Sequence, residues 1–530
     1  MLIDARELET GALLEGDLCV VGAGAAGIAI ALQFVGTGHR VLLVESGGLE
    51  IDGATQALYE GVNLGREYYE LEACRLRFFG GTTNHWEGRC RPLDPLDFEP
   101  RAWVPHSGWP ISRASLDPYY ARAHELCQLG PYSYDPGFWF LPGEAALPFD
   151  PALVATGLWQ FSPPTRFGKV YREPLARATD VRVLLNANLV DIETGEEGAA
   201  VRALRIATLE GKRFTVQARA YVLACGGLEN ARLLLAANRQ VNVGLGNRHG
   251  NVGRYFMEHA HLPGARLLAA APSQIGFYTY EERQPRHGGT LVMGHLRLAP
   301  DLQTSAGLLN CDCNFVHDNV GASGYAALRR MLTAVEHAKL PDHLLADLAL
   351  ALEDFDDTFA GLLGRLGLRE YHPDQASFVM WSTLEQAPNP DSRVTLAAET
   401  DALGLPRIRL DWRLSEADKR SLQEVHRTLA EEFGRSGLGR LQIDEWVDAD
   451  LTTWSPRMIG GHHHMGTTRM SDDPRTGVVD RDCRVHDMAN LFIAGSSVFP
   501  TGGSANPTLT IVALALRMAD HLREQVTATG

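Results

Sequence analysis

No stretch of this chain approaches the ~20 consecutive apolar residues that a membrane-crossing helix needs, so a helical span is excluded. Blocks of positive charge are missing as well. Lys plus Arg number 49 against 65 Asp plus Glu, a net charge of −16. With no cationic face to track phosphates, nucleic acid is excluded as a partner. Cysteine is sparse, eight in 530 residues, and only Cys311 and Cys313 lie close together. A lone C-x-C makes neither a zinc site nor a disulfide framework, so free thiols in a reducing compartment are expected. The N-terminus lacks a basic segment leading into an apolar run and lacks a twin arginine. The expected location is therefore cytoplasmic, with export beside a signal-bearing partner as the alternative. No C-x-x-C-H haem-attachment site occurs, so any cytochrome would be a separate chain.

What is present describes a soluble α/β protein rich in tight turns: 45% hydrophobic residues, 22% charged residues and 53 glycines. At 530 residues the chain exceeds one ordinary core, so two or more lobes are expected.

The most informative stretch runs from Asp17 to Glu45. Leu18 to Val21 is an apolar run with no polar face, as suits a parallel strand buried on both sides. Gly22, Gly24 and Gly27 follow at G-x-G-x-x-G spacing, with Ala25 and Ala26 between the second and the third. The first glycine permits the turn, the second admits a pyrophosphate to the backbone, and the third lets helix and strand approach. The helix then offers free N–H groups to the phosphates. Val41 to Val44 reads as the next strand, ending at Glu45, 18 residues beyond Gly27, where a carboxylate can bond a ribose hydroxyl. An ADP-containing cofactor is implied, with NAD and FAD both open at this point.

Residues 1–16 read as a lead-in. Arg77-Phe-Phe-Gly-Gly81-Thr82-Thr-Asn84-His85-Trp86-Glu-Gly88 pairs glycines and small hydroxyls with bulky aromatics, which suits a loop against a flat ring or, equally, a plain turn around a buried Trp. Ser115 to Leu126 reads as a helix. From Val181 to Arg219 the alternation is that of a meander, leading into the buried strand Ala220 to Leu223, the turn Cys225-Gly-Gly and a helix from Glu229. Strands are expected at 291–298, 378–385 and 393–396, and two or three helices over 326–366 whose Leu and Met are read as core. Ser415 to Arg435 reads as a long helix opened by Ser415 with Asp418 three residues on. The chain closes with Gly461-His-His463-His-Met-Gly466-Thr, a last strand from Leu491 to Ala494, Gly495-Ser496, and Asn506-Pro507-Thr508 opening a helix to Leu522.

These motifs, in this order, together with Val252-Gly-Arg-Tyr-Phe-Met-Glu-His259 and Glu385-Gln-Ala-Pro-Asn-Pro-Asp-Ser392-Arg393, resemble those of the glucose-methanol-choline (GMC) oxidoreductases over residues 17–525. The resemblance implies FAD and an α/β class: a Rossmann-like flavin domain plus a substrate domain with an antiparallel sheet and helices. The expected division is 1–128 flavin-binding, including the loop 78–90, then 129–180 as a substrate-side excursion and 181–261 flavin-binding. Residues 262–455 would be the substrate domain and 456–530 the flavin-domain end that carries the reactive pair. Asn506 makes the chain similar to the His-Asn branch that includes pyranose and cholesterol oxidases. His463 falls at the H-x-x-G position, with His462 and His464 alternating away. Adjacent histidines diverge, so no metal is expected.

On this resemblance His463 and Asn506 are the catalytic pair. The flavin would be held by Gly22, Gly24, Ala25, Ala26, Gly27, Glu45, Ser46, Gly81, Thr82, Asn84, His85, Trp86, Gly88, Val190, Cys225, Gly495, Ser496, Pro507 and Thr508. His85 falls where some sugar-oxidising relatives attach the flavin covalently; that link is the disfavoured alternative. A neutral imidazole suits removal of a hydroxyl proton while hydride passes to the flavin, and Asn506 can hold the hydroxyl. The implied function is oxidation of a sugar, polyol or glycoside alcohol, with oxygen, a quinone or a separate cytochrome as acceptor, as a single chain, an oligomer or beside a small subunit. A sterol or aliphatic alcohol, a redox-silent lyase of the same fold and a non-catalytic nucleotide-binding subunit are the alternatives.

Overall fold

A computed structural model describes the chain apart from residues 196–197, 281–282, 284, 319–324, 326, 330, 333–343, 354, 366–376 and 529–530. Its centre is a six-stranded, all-parallel sheet in the order Leu2–Asp4, Val181–Leu185, Val41–Val44, Leu18–Val21, Ala220–Leu223, Leu491–Ile493. The four central strands and Leu491–Ile493 are apolar and, but for Arg182, buried along their length, because helices cover a parallel sheet on both faces. Ala25–Leu32, Gly226–Ala236 and Thr508–Ala528 are among those helices. Strands from both ends of the sequence therefore share one layer.

The first residues are more than a lead-in. Leu2–Asp4 forms the sheet's edge beside Val181–Leu185, and Leu13–Glu15 joins the meander of Asn188–Thr194, Val201–Ala207 and Arg213–Gln217. Three-residue strands are too short to show a period, so sequence pattern could not reveal them.

The second large sheet is antiparallel. It runs Gly439–Ile443, Ala260–Ala269, Ser377–Leu384, Cys311–His317, Leu291–Leu298, Val154–Phe161, Arg89–Cys90, with Ile459–Gly460 added beside Ala260–Ala269. Arg393–Thr400 stands apart, in a small sheet with Pro406–Asp411 and Gly61–Asn63. Glu416–Ser436 lies against the large sheet, capped by Ser415, whose side chain accepts from Asp418 N–H while the Asp418 carboxylate accepts from Ser415 N–H. The earlier helix begins at Arg113 under a Ser112 cap. Of the helices expected over 326–366, Leu344–Glu353 and Phe355–Arg365 are described; the rest of that expectation lies outside the described residues. Leu345 and Leu352 are exposed there, which corrects the reading of those leucines as core. Among the described residues no helix is long and apolar enough to cross a membrane.

Candidate active site

A cavity of about 600 Å³ runs from the tips of the parallel strands to the face of the antiparallel sheet. Its inner end is backbone. Gly22 has φ +100, and a Cβ there would stand 2.6 Å from Ala224 O; a Cβ on Gly27 would stand 1.8 Å from Gly22 O. The first turn of Ala25–Leu32 is thereby pressed onto its strand. Gly24 caps that helix without a side-chain bond, and a Cβ at Gly24 would meet nothing within 4 Å. The first-turn N–H groups thus open onto space, as a pyrophosphate requires. Glu45 Oε2 accepts from Ala23 N–H at 2.8 Å and Oε1 from Gly47 N–H at 2.9 Å, which aims the carboxylate at the same space.

Deeper along the wall, Arg75, Arg77 and Arg232 converge on Glu229, at 3.8, 3.2 and 3.1 Å. Burial opposes ionisation of Glu229, yet the three guanidiniums outweigh it and lower the carboxyl to about 2. The 81–88 loop is braced from within: Asn84 Nδ2 donates to Phe79 O and Gly81 O, both at 3.0 Å, and Trp86 Nε1 donates to Thr165 O at 2.8 Å.

The outer end is made of side chains. Asn506 Nδ2 lies 3.3 Å from His463 Nε2, and His463 Nδ1 lies 2.9 Å from His259 Nδ1. An amide nitrogen only donates, so His463 Nε2 carries the lone pair. Its Nδ1 then carries the hydrogen and donates to His259 Nδ1. Beneath this line, the buried Glu258 carboxylate accepts from the backbone N–H groups of His463 and His259, each at 2.8 Å, and from the Tyr68 hydroxyl. His464 is buried and lies 2.8 Å from the Tyr68 hydroxyl. His462 has φ +60 and turns outward, its ring stacked on Tyr69 at 4.3 Å and 6.3 Å from the His85 ring.

Burial, reinforced by His259, His261, His462 and His464, pushes the His463 pKa well below its usual value, so the ring is neutral at physiological pH. Burial likewise lowers His259 to about 4 and raises Glu258 to about 7 despite the hydrogen bonds that favour its charge. His261 falls to about 3 through burial, then Arg89, His259 and His462.

Most of the residues singled out in the sequence line this one cavity, including His463, Asn506, Glu45, His85, Cys225 and Ser496. Three do not. Gly27 is turned to helix–strand contact and Asn84 to bracing its own loop. Val190 is replaced by Ala187 and Leu189, because alternate residues of this segment face opposite ways. Sequence reasoning missed Glu258, His259 and His261 as site residues. Their signal was present: the Glu258-His259 pair inside the 252–259 motif and a His two residues on, at strand period.

The FAD dependent oxidoreductase model matches residues 17–310, more than half of the chain, and the GMC oxidoreductase C-terminal model matches residues 388–515. The chain is similar to the fructose dehydrogenase large subunit of Gluconobacter japonicus, 24% identical over 96% of this chain and 98% of that protein. It is also similar to 2-methyl-1,2-propanediol dehydrogenase of Mycolicibacterium austroafricanum, 26% identical over 96% and 95%. Among solved structures, pyridoxine 4-oxidase from Mesorbium loti aligns with a TM-score of 0.55 at 16% identity, over 96% of this chain and 99% of that one, a likeness of fold.

Proposed function

We propose a sugar or polyol as the substrate of this chain, which belongs to the GMC family of FAD-dependent oxidoreductases and oxidises an alcohol carbon to a carbonyl. FAD, when bound, supplies the two-electron acceptor. Gly22, Gly24, Ala25 and Ala26 would hold its pyrophosphate and Glu45 its ribose; the open, uncapped helix start at Gly24 fits that task.

The observation that carries the reading is the line Asn506–His463–His259 at the cavity's outer end. His463 is the base: its Nε2 lone pair takes the hydroxyl proton, and its Nδ1–H stays anchored on His259. Protonation makes His463 a cation in a buried place. The ionisable Glu258, whose carboxylate receives the His463 backbone N–H, offsets that charge. Asn506 holds the hydroxyl oxygen through its amide and fixes which C–H faces the flavin. Arg89, His261, His462, His463 and Asn506 all line the cavity, and polar groups in that number favour a substrate with several hydroxyls over a sterol.

Two further points support the choice. The relatives compared above are named for fructose and for a diol, both bearing more than one hydroxyl. Neither is named as a lyase, so the redox-silent alternative is not favoured. The Gluconobacter relative is named a large subunit, which supports a partner chain for this protein as well. The test is anaerobic: purified protein is mixed with sugars, polyols and simple alcohols while flavin absorbance is followed. Bleaching by polyhydroxylated compounds is expected. Bleaching by monohydric alcohols alone would sink the substrate assignment, and bleaching by dithionite only would sink alcohol oxidation itself.

A further inference from the structure

Three arginines line the cavity, and two of them are neutralised. Arg75 and Arg77 share Glu229. Arg89 is different. Its side chain is only 11% exposed, and its one ion-pair contact among the described residues is Glu87, 3.7 Å away and itself 63% exposed. The Arg89 Nε is buried without a hydrogen-bond partner. A carboxylate so open to solvent neutralises a buried cation poorly.

The surroundings hold the guanidinium by its faces and leave its edge free. It lies 4.9 Å from the Trp159 ring, 5.8 Å from Phe161 and 5.7 Å from Tyr280. Aromatic faces attract the cation but accept none of its in-plane N–H bonds. Its pKa is lowered by burial, an effect to which nearby Arg283 adds. Strand pairing fixes the direction: in Arg89–Cys90, held against Gln160 and Phe161, Cys90 turns into the core, so Arg89 turns to the cavity.

His261 completes the feature. It lines the same cavity, its Nε2 is buried with no partner, and its ring lies 5.9 Å from that of His463. The Arg89 charge is one of the causes that hold His261 neutral, so the two face a common space beside the base.

We propose that Arg89 and His261 form a subsite for a carboxylate on the substrate, which makes the favoured substrate an acidic sugar or polyol, an aldonate or uronate, and not a neutral one. The guanidinium edge takes the carboxylate through paired N–H bonds and His261 Nε2–H bonds one of its oxygens or the neighbouring hydroxyl. The subsite rests on the alcohol-oxidation reading for the reaction, but binding of the anion stands apart from turnover.

The experiment compares matched probes on the flavin-loaded protein: D-gluconate against D-glucitol, and D-glucuronate against D-glucose. Anaerobic flavin reduction gives kcat/KM, and calorimetry with the same compounds gives Kd. The acidic member is expected to be favoured about 10- to 100-fold, the range of a charge-assisted pair. In Arg89→Met that ratio is expected to collapse toward one, and in Arg89→Lys to fall part-way, since the charge remains and the fork is lost. Equal use of acidic and neutral partners by the unaltered protein overturns the proposal, even if the variants fail to fold. Arg89-dependent binding of D-gluconate with no flavin reduction by any alcohol would leave the subsite standing and remove the alcohol-oxidation reading instead.

Discussion

The two ends of the cavity are built by opposite means. At the inner end backbone presses against backbone, Gly27 on Gly22 within one turn and Gly22 on Ala224 at the end of the neighbouring strand, with fully buried apolar strands behind them. At the outer end side chains from remote segments meet: Arg89, His261, His463 and Asn506 around one space, with Glu258 and Tyr68 beneath. Steric closeness leaves no room for variation, whereas a polar cluster keeps its shape while its chemistry is changed. The inner end should therefore fail all at once and the outer end in steps.

The largest effect is expected from Gly27→Ala. Its Cβ would stand 1.8 Å from Gly22 O, a backbone atom that cannot step aside, so the helix must leave its strand. Purified protein should be colourless or insoluble; a yellow, folded variant would show that the close contact is not required. His463→Ala should retain flavin and lose kcat/KM by roughly 10²- to 10⁴-fold, the usual contribution of a positioned base. Asn506→Ala should lose less, because it removes orientation and leaves the base. Retained activity in His463→Ala would place the base elsewhere.

A smaller change is expected from the positioning residue His259. Replacing it by Phe removes the acceptor for His463 Nδ1–H and frees the ring to adopt the wrong tautomer, lowering kcat/KM by about 10- to 100-fold, as loss of a ligand-orienting partner does at metal sites. His259→Gln, which supplies an acceptor, should recover part of it. Equal loss in both variants would make the role structural. In the unaltered protein the acid limb of kcat/KM should lie below pH 6.5, since burial and neighbouring imidazoles keep the His463 pKa well under that reference. The base stays neutral, and active, until pH falls through the lowered value. A limb above 6.5 would contradict the buried geometry.

The same contrast explains what could be read from the chain alone. The inner end is local, so Gly22, Gly24, Gly27 and Glu45 stand at fixed spacing within one strand–turn–helix–strand unit and announce themselves. His463 and Asn506 were legible only through resemblance, because nothing in a run of three histidines says which ring meets an amide 43 positions later. Arg89, at the end of the 78–90 loop, and His261 were not singled out as site residues. Their roles depend on strand pairing across the antiparallel sheet, where Arg89 is set by contact with Phe161 and His261 by contact with Thr383. Long-range register of that kind leaves no periodic trace in either partner. Leu2–Asp4 and Leu13–Glu15 escaped for a related reason, being too short to alternate visibly.

The last expected effect is on stability instead of turnover and concerns Glu258. Burial raises its pKa in the folded protein to about 7, above the 4.5 of an unperturbed glutamate. A group raised by folding contributes stability that is complete below the unfolded value and is lost as pH climbs through the folded one. The wild-type protein should therefore lose up to about 3 kcal/mol from this residue between pH 4.5 and pH 7 and beyond. Glu258→Gln cannot ionise, yet its side-chain oxygen can still accept from the His259 and His463 N–H groups, so it should lack that slope while keeping most of the local structure. Urea midpoints for the two proteins, measured across pH 5 to 8, should draw apart as pH rises, with the variant gaining relative to wild type. Parallel curves would mean that Glu258 ionises freely. In that case it would already be an anion beneath His463 at neutral pH, and the outer end of the cavity would hold a standing negative charge before any proton moves.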